Sequence, residues 1–334
     1  MKNILYIGNQ LSNKTATTIE TLSALLRSEG FSVTTASNKK NKILRLWDML
    51  FHIIKYRKST DYVLIDTYST TNFYYAYLCS MMCQLFKLKY IPILHGGNLP
   101  ERLKTSPQLS KQIFKNAHIN VSPSKFLMLS FQKSGFKNII HIPNTIELKH
   151  YNFKERDLDE IHLLWVRSFS NIYNPKLAVE ILKSLKLDNI KASLCMVGPD
   201  NDGSLSETKR LANDLGIEVE FTGKLSKPEW HKKAEKFNVF INTTTVDNMP
   251  VSVIEAMALG LPVVTTNVGG LPYLIENNVD GILVESNNVI EFKKAILKLK
   301  KDVVFLSQIT NRARQKAEQF DWNTVKHQWF SILS

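Results

Sequence analysis

Short apolar runs alternate with amphipathic segments along the chain. The alternation predicts strands at Ile4–Ile7, Phe31–Thr35, Tyr62–Asp66, Tyr90–Leu94, Ile119–Val121 and Ile139–Ile142. Runs of this length, spaced by helical patterns, are what a parallel sheet covered by helices on both faces produces. A charged, irregular stretch from Glu147 to Glu160 breaks the rhythm and reads as a linker. The pattern resumes at Ile161–Val166, Ala192–Val197, Glu218–Phe221, Val239–Asn242, Pro262–Thr265 and Ile282–Val284. The expected class is α/β, with two Rossmann-like domains in tandem, 1–150 and 156–319. The last segment, AEQFDWNTVKHQWFSIL, places Trp322, Val325, Trp329 and Phe330 at helical spacing.

At 334 residues, with 44% apolar and 22% charged side chains, the chain can bury two cores. MKNILYIGN runs straight into a strand pattern, so a cytoplasmic protein is expected. Cys79 and Cys83 lie four apart in an apolar helix and Cys195 lies in a strand, which suits small buried hydrophobes rather than metal ligands.

Charge is distributed unevenly. Residues 1–155 hold 21 Lys and Arg against 8 Asp and Glu, whereas residues 156–334 hold 22 of each kind. An anionic surface or partner is therefore expected at the first domain alone. Lys39–Lys58, KKNKILRLWDMLFHIIKYRK, interleaves basic residues with Ile43, Leu46, Trp47, Leu50, Phe51 and Ile54. That pattern fits a helix lying on an anionic membrane and equally a helix packed on the sheet. The apolar helix over 72–88 is too short to span a bilayer and reads as core.

The densest chemistry lies in Asp247–Gly270, DNMPVSVIEAMALGLPVVTTNVGG. Pro250 is suited to a first helical position, so 250–259 reads as a short helix closed by Gly260 and followed by the strand Leu261–Thr265. Free amides and the dipole at the helix start suit a diphosphate, Glu255 can accept hydrogen bonds from ribose hydroxyls, and Asp247 can hold sugar hydroxyls. The run resembles the donor-binding motif of the family 4 retaining glycosyltransferases, E-x7-E followed by E-A-M-A-x-G-x-P-V-V-x-T, here read as D-x7-E with Asp247 in the first acidic position and Glu255 in the second.

The resemblance implies the GT-B fold, with two Rossmann-like domains facing across a cleft and a last helix, 320–334, crossing back to the first domain. It implies contact of Asp247 with the donor sugar and of Glu255 with the ribose, with Asn248, Met249, Pro250 and Val251 lining the donor site. Arg167, after the strand IHLLWV, matches the family's phosphate-clamping arginine. The lysine expected five residues later is replaced by Ile172, which leaves Lys176 as a substitute. Met196–Pro199 and Phe221–Ser226, with Gly198 and Thr222, match the runs bordering the base pocket.

His95, followed by Gly96 and Gly97 at a strand end, matches His-Gly runs that face the reacting sugar in the family. A core histidine is the alternative reading of His95. The loop after the first strand lacks the family's paired glycines, though Gly8, Lys14 and Thr15 can approach a diphosphate. Asp200-Asn201-Asp202 spells DxD, but in a polar loop with no third oxygen ligand nearby. It reads as a solvated turn, and neither a metal nor a bound cofactor is expected.

The expected activity is retaining, metal-independent transfer of a sugar from a nucleotide diphosphate to a glycan or lipid-linked acceptor, in cell-surface polysaccharide or glycolipid synthesis. The family's front-face chemistry gives the acceptor proton to the leaving phosphate, which accounts for the lack of a paired carboxylate or Ser/His/Asp set. His95, Asp247 and Arg167 are the expected catalytic residues. A nucleotide-sugar epimerase of the same architecture is the enzymatic alternative. Nucleic-acid binding has only net charge in its favour, with no RNP, KH, zinc-finger or helix-turn-helix signature. No G-x-G-x-x-G follows either domain's first strand, which argues against a dinucleotide enzyme.

Overall fold

A computed structural model describes residues 2–10 and 17–334. Lys14 and Thr15 lie outside the described residues. The chain forms two compact units, Met1–Pro143 with Val325–Ser334, and Asn144–Thr324.

The first unit holds β1 (Asn3–Ile7), β2 (Ser32–Ala36), β3 (Tyr62–Thr67), β4 (Lys89–Leu94), β5 (Asn120–Ser122) and β6 (Ile139–His141), in the order β2-β1-β3-β4-β5-β6. The second holds β7 (Ile161–Val166), β8 (Ala192–Val197), β9 (Glu220–Gly223), β10 (Val239–Asn242), β11 (Val263–Thr266) and β12 (Ile282–Val284), in the order β12-β11-β10-β7-β8-β9. Every pairing between these strands is parallel. This is the expected GT-B architecture of two Rossmann-like sheets. The two strand orders differ, however: the first is flavodoxin-like and the second is the dinucleotide-binding order. Each has one place where the order reverses direction, between β1 and β3 and between β7 and β10. Ligands in such sheets bind outside the carboxyl ends of the strands at that place.

Several predicted boundaries move, each for a local reason. Phe31 caps the helix Thr18–Ser28 through its amide on Leu26 and packs its ring on Phe330, so β2 starts one residue later. Leu261 closes the preceding helix through its amide on Ala256, and β11 starts after Pro262. β9 takes its register from β8, across an irregularity between Met196 and Val197. The helix expected over 250–259 is Val251–Ala258. Pro250 stands before it as the N-cap in extended conformation, its carbonyl accepting the amide of Val253, which corrects the expectation of a first helical position.

Cys79, Cys83 and Cys195 are free and buried. The tail is the helix Trp322–Leu333. Val325, Trp329 and Leu333 are buried, Lys326 pairs with Glu29 at 3.0 Å, and Tyr62 donates to the Ser334 carbonyl at 2.9 Å. Among the described residues no helix is long and apolar enough to cross a membrane.

Candidate functional site

In the second unit the loops after β7 and β10 are knitted together. The Ile172 carbonyl accepts from the Thr245 amide at 2.8 Å and from the Thr245 hydroxyl at 2.9 Å, and the Tyr173 carbonyl accepts from the Thr243 hydroxyl at 2.8 Å. Where the family pattern has a lysine, Ile172 thus contributes its backbone to the scaffold. These bonds bring Arg167, one residue past β7, into a largely buried ion pair with Asp247, past β10. The guanidinium stacks 4.3 Å over the Tyr173 ring, and burial pushes its pKa down. Two of the three expected catalytic residues therefore meet at the reversal point of the sheet.

The approach of Gly269 and Gly270 explains the glycine pair that closes the motif. A β-carbon on Gly269 would collide with the Asp247 carbonyl, and one on Gly270 with the Asn248 carbonyl. The Gly270 amide instead donates to the Asp247 carbonyl at 3.0 Å, holding the acidic loop in place. Asn248 and Met249 are buried, the Asn248 amide bonds the Asp247 carboxylate at 2.9 Å, and Asn144 holds the Met249 carbonyl at 2.9 Å. The helix starting at Val251 leaves its first amides without acceptors inside the helix, beside this loop.

Glu255 lies in that helix and is only 4% exposed. Its Oε1 accepts from the Tyr151 hydroxyl at 2.8 Å and meets the Lys227 ammonium at 2.8 Å. The His231 ring packs at a tilt against that of Tyr151, with ring centroids 4.5 Å apart. Burial, opposed by Glu255, lowers its pKa to about 4, so His231 is neutral near pH 7. Burial first, and Glu255 second, push the Tyr151 hydroxyl's pKa well up and keep it a donor. Neither Lys227 nor Tyr151 is singled out by the sequence. Lys227 follows the run Phe221–Ser226 by one residue, a usable signal, whereas Tyr151 lies 104 positions from Glu255 and carries none.

Gly198, past β8, donates its amide to the Gly223 carbonyl at 2.8 Å, and a β-carbon there would strike the Arg167 carbonyl. Thr222 bonds the Gly223 carbonyl at 2.9 Å. Lys176 pairs with Glu207 at 2.6 Å rather than joining Arg167. The carboxylates of the DxD turn are also engaged. Asp202 accepts from Ser170 at 2.8 Å and from the Asn171 amide at 3.0 Å, and Asp200 from the Gly203 amide at 3.0 Å. Among the described residues no three His, Cys, Asp or Glu side chains gather as a metal site.

The first unit has its own cluster at the reversal between β1 and β3. His95 Nε2 lies 2.8 Å from Asp66 Oδ1, which also accepts from the Tyr6 hydroxyl at 2.9 Å, and all three side chains are largely buried. The Tyr68 ring lies 5.1 Å from that of His95. Gly8 passes so close to Asp66 that a β-carbon would come within 2.5 Å of its Oδ2. Asp66 is the residue that sequence reasoning missed here, its one signal being an acid near the end of the apolar run YVLID.

The profile of the family described as glycosyl transferases group 1 matches residues 149–316, half of the chain, and the chain belongs to that family. It is 26% identical over 197 residues to the amylovoran biosynthesis glycosyltransferase AmsK of Erwinia amylovora, covering 56% of this chain and 48% of that one. It is also 26% identical over 135 residues to a Campylobacter jejuni α-1,4-N-acetyl-D-galactosaminyltransferase named for a PP-undecaprenol-linked GalNAc glycan, covering 40% and 37%. The chain spans half or less of the length of these curated relatives. The structure of HepE from Anabaena in complex with UDP-glucose superimposes with a TM-score of 0.81 at 17% identity, over 100% of this chain and 99% of that one.

Proposed function

We propose that the protein is a retaining glycosyltransferase that moves a sugar from a nucleotide diphosphate to a glycan or lipid-linked acceptor, in cell-surface polysaccharide or glycolipid synthesis. The observation that carries this reading is the Arg167–Asp247 pair at the β7/β10 reversal, beside a helix start whose second turn begins at the buried Glu255. The amides at Val251 and the Arg167 guanidinium supply positive charge for a diphosphate, Glu255 takes the ribose, and Asp247 takes the sugar hydroxyls. The acceptor is assigned to the first unit, with His95 held by Asp66. The transfer needs no divalent metal in this reading, and it agrees with the names of the amylovoran and PP-undecaprenol relatives.

The test is heat stabilisation by UDP, GDP and ADP sugars, comparing wild type with Glu255→Ala, followed by product analysis in chelator with and without acceptor. A ligand that binds only the folded state raises the apparent melting point by mass action. Stabilisation by one nucleotide class, lost in the variant, is the expected result. Conversion of the donor sugar without acceptor would replace transfer by epimerisation.

A further inference from the structure

Among the described residues, nine of the fifteen exposed large apolar side chains sit on two helices of the first unit, Lys42–Tyr56 and Asn72–Leu85. Ile43, Leu44, Trp47, Phe51 and Ile54 form a stripe on the first, and Tyr74, Leu78, Met81 and Leu85 form one on the second. Both stripes follow helical spacing, so each presents a continuous face. The opposite faces pack inward: Met49 and Ile53 on one, Ala76, Cys79 and Cys83 on the other, all in one core. The Tyr75 hydroxyl bonds the Lys42 carbonyl at 3.1 Å and ties the two helices together.

This arrangement is fixed rather than frayed. Asn41 caps the first helix through the amides of Ile43 at 2.9 Å and Leu44 at 3.2 Å. Arg45 is turned inward, donating to the Lys39 and Lys40 carbonyls at 2.7 and 2.9 Å. A helix that buries an arginine while leaving a tryptophan 67% exposed is arranged for a surface other than water. Exposed Lys39, Lys40, Lys42, Lys55, Arg57 and Lys58 flank the stripe, and Asp48 is the one acid in the helix.

We propose that these two helices form a docking face for an anionic lipid bilayer, with Trp47 and Phe51 inserted at the headgroup–acyl boundary and the flanking lysines on lipid phosphates. An amphipathic helix lying in the interface, aromatic on one side and basic at its margins, has this composition. A second copy of the chain is the poorer occupant, because a face-to-face pair would bring two like-charged basic margins together. The proposal is independent of the sugar-transfer reading.

Trp47 makes the face directly measurable, since the other four tryptophans, all among the described residues, are no more than 4% exposed. Full-length protein is mixed with phosphatidylcholine vesicles, with or without phosphatidylglycerol, at low and high salt. Co-sedimentation roughly tenfold stronger on the anionic vesicles and weakened by salt is expected. It should come with a blue shift of tryptophan emission that Trp47→Phe removes without loss of binding. Phe51→Glu, and separately Leu85→Glu, should reduce sedimentation to the neutral-vesicle level while leaving the melting temperature unchanged. Equal binding to neutral vesicles, no binding to either, or an unchanged emission in the bound state would overturn the proposal. So would a dimer of the free protein that Phe51→Glu converts to monomer.

Discussion

Lys227, in the first turn of the helix Lys227–Ala234, holds its ammonium 2.8 Å from the Oε1 of Glu255, which is buried in a different helix. The glutamate is thus aimed by a partner outside the family motif. Lys227→Met should weaken donor binding while preserving the fold. The expected loss is about tenfold to a hundredfold in kcat/KM, from the ~1.5–3 kcal/mol of a hydrogen bond to a charged group. Tyr151→Phe should lose less, because the ammonium remains. Steady-state kinetics with varied donor checks both, and an unchanged donor KM in Lys227→Met would remove this lysine from the site.

The Arg167–Asp247 pair has a separable stability role. Asp247→Ala leaves a buried guanidinium without its counter-charge and should destabilise the protein by about 3–5 kcal/mol, whereas the double replacement Arg167→Met with Asp247→Leu should recover most of that loss. Transfer should be abolished in both. Denaturant titrations of wild type, Asp247→Ala, the single variants Arg167→Met and Asp247→Leu, and their combination, alongside activity, separate the effects. A double variant as active as wild type would show that the pair is only structural.

Asp66 ties Tyr6 and His95 together, so its removal should act through the histidine. Asp66→Asn should lower kcat with little change in donor KM, because the cluster lies in the unit assigned to the acceptor. Tyr6→Phe should cost about 1 kcal/mol of stability, since it removes a buried donor and leaves the ring packed. Kinetics with both substrates varied, and melting curves for both variants, are the measurements. A rise in donor KM as the sole effect of Asp66→Asn would contradict the assignment of this cluster to the acceptor.

His231 predicts an acid-sensitive stability. Its folded pKa of about 4 lies below the ordinary value of 6.5, so the unfolded chain binds more protons between these pH values. Its stabilising contribution is therefore complete above pH 6.5 and is lost as the pH falls towards 4. Melting temperatures taken across this interval should fall less steeply in His231→Gln than in wild type. Parallel curves would assign the acid limb to other groups.

Much of the fold is legible because largely buried parallel strands read as mostly apolar runs, as in Ile161–Val166 and Ala192–Val197, where expected and observed strands coincide. Boundaries slip where a residue answers to a helix instead, as Phe31 and Leu261 do. Asp247 and Glu255 are legible because nine consecutive residues of one loop and helix carry both. The partners that aim them are not. Tyr151 and Asp66 reach the functional residues only through tertiary packing, which local periodicity does not encode, and Lys227 is marked only by its place after the run Phe221–Ser226. Exposure on the helix Lys42–Tyr56 is hidden for the same reason, since an apolar stripe looks alike whether a sheet covers it or not.

The first unit is assembled from two distant stretches of chain, Met1–Pro143 and Val325–Ser334. Val325, Trp329 and Leu333, which it buries, are the last of its core to leave the ribosome. The second unit, continuous in sequence, can close as soon as it is made, whereas the first must wait with Phe31 and Tyr62 lacking their C-terminal partners. The half of the chain made first is therefore the half whose core is completed last.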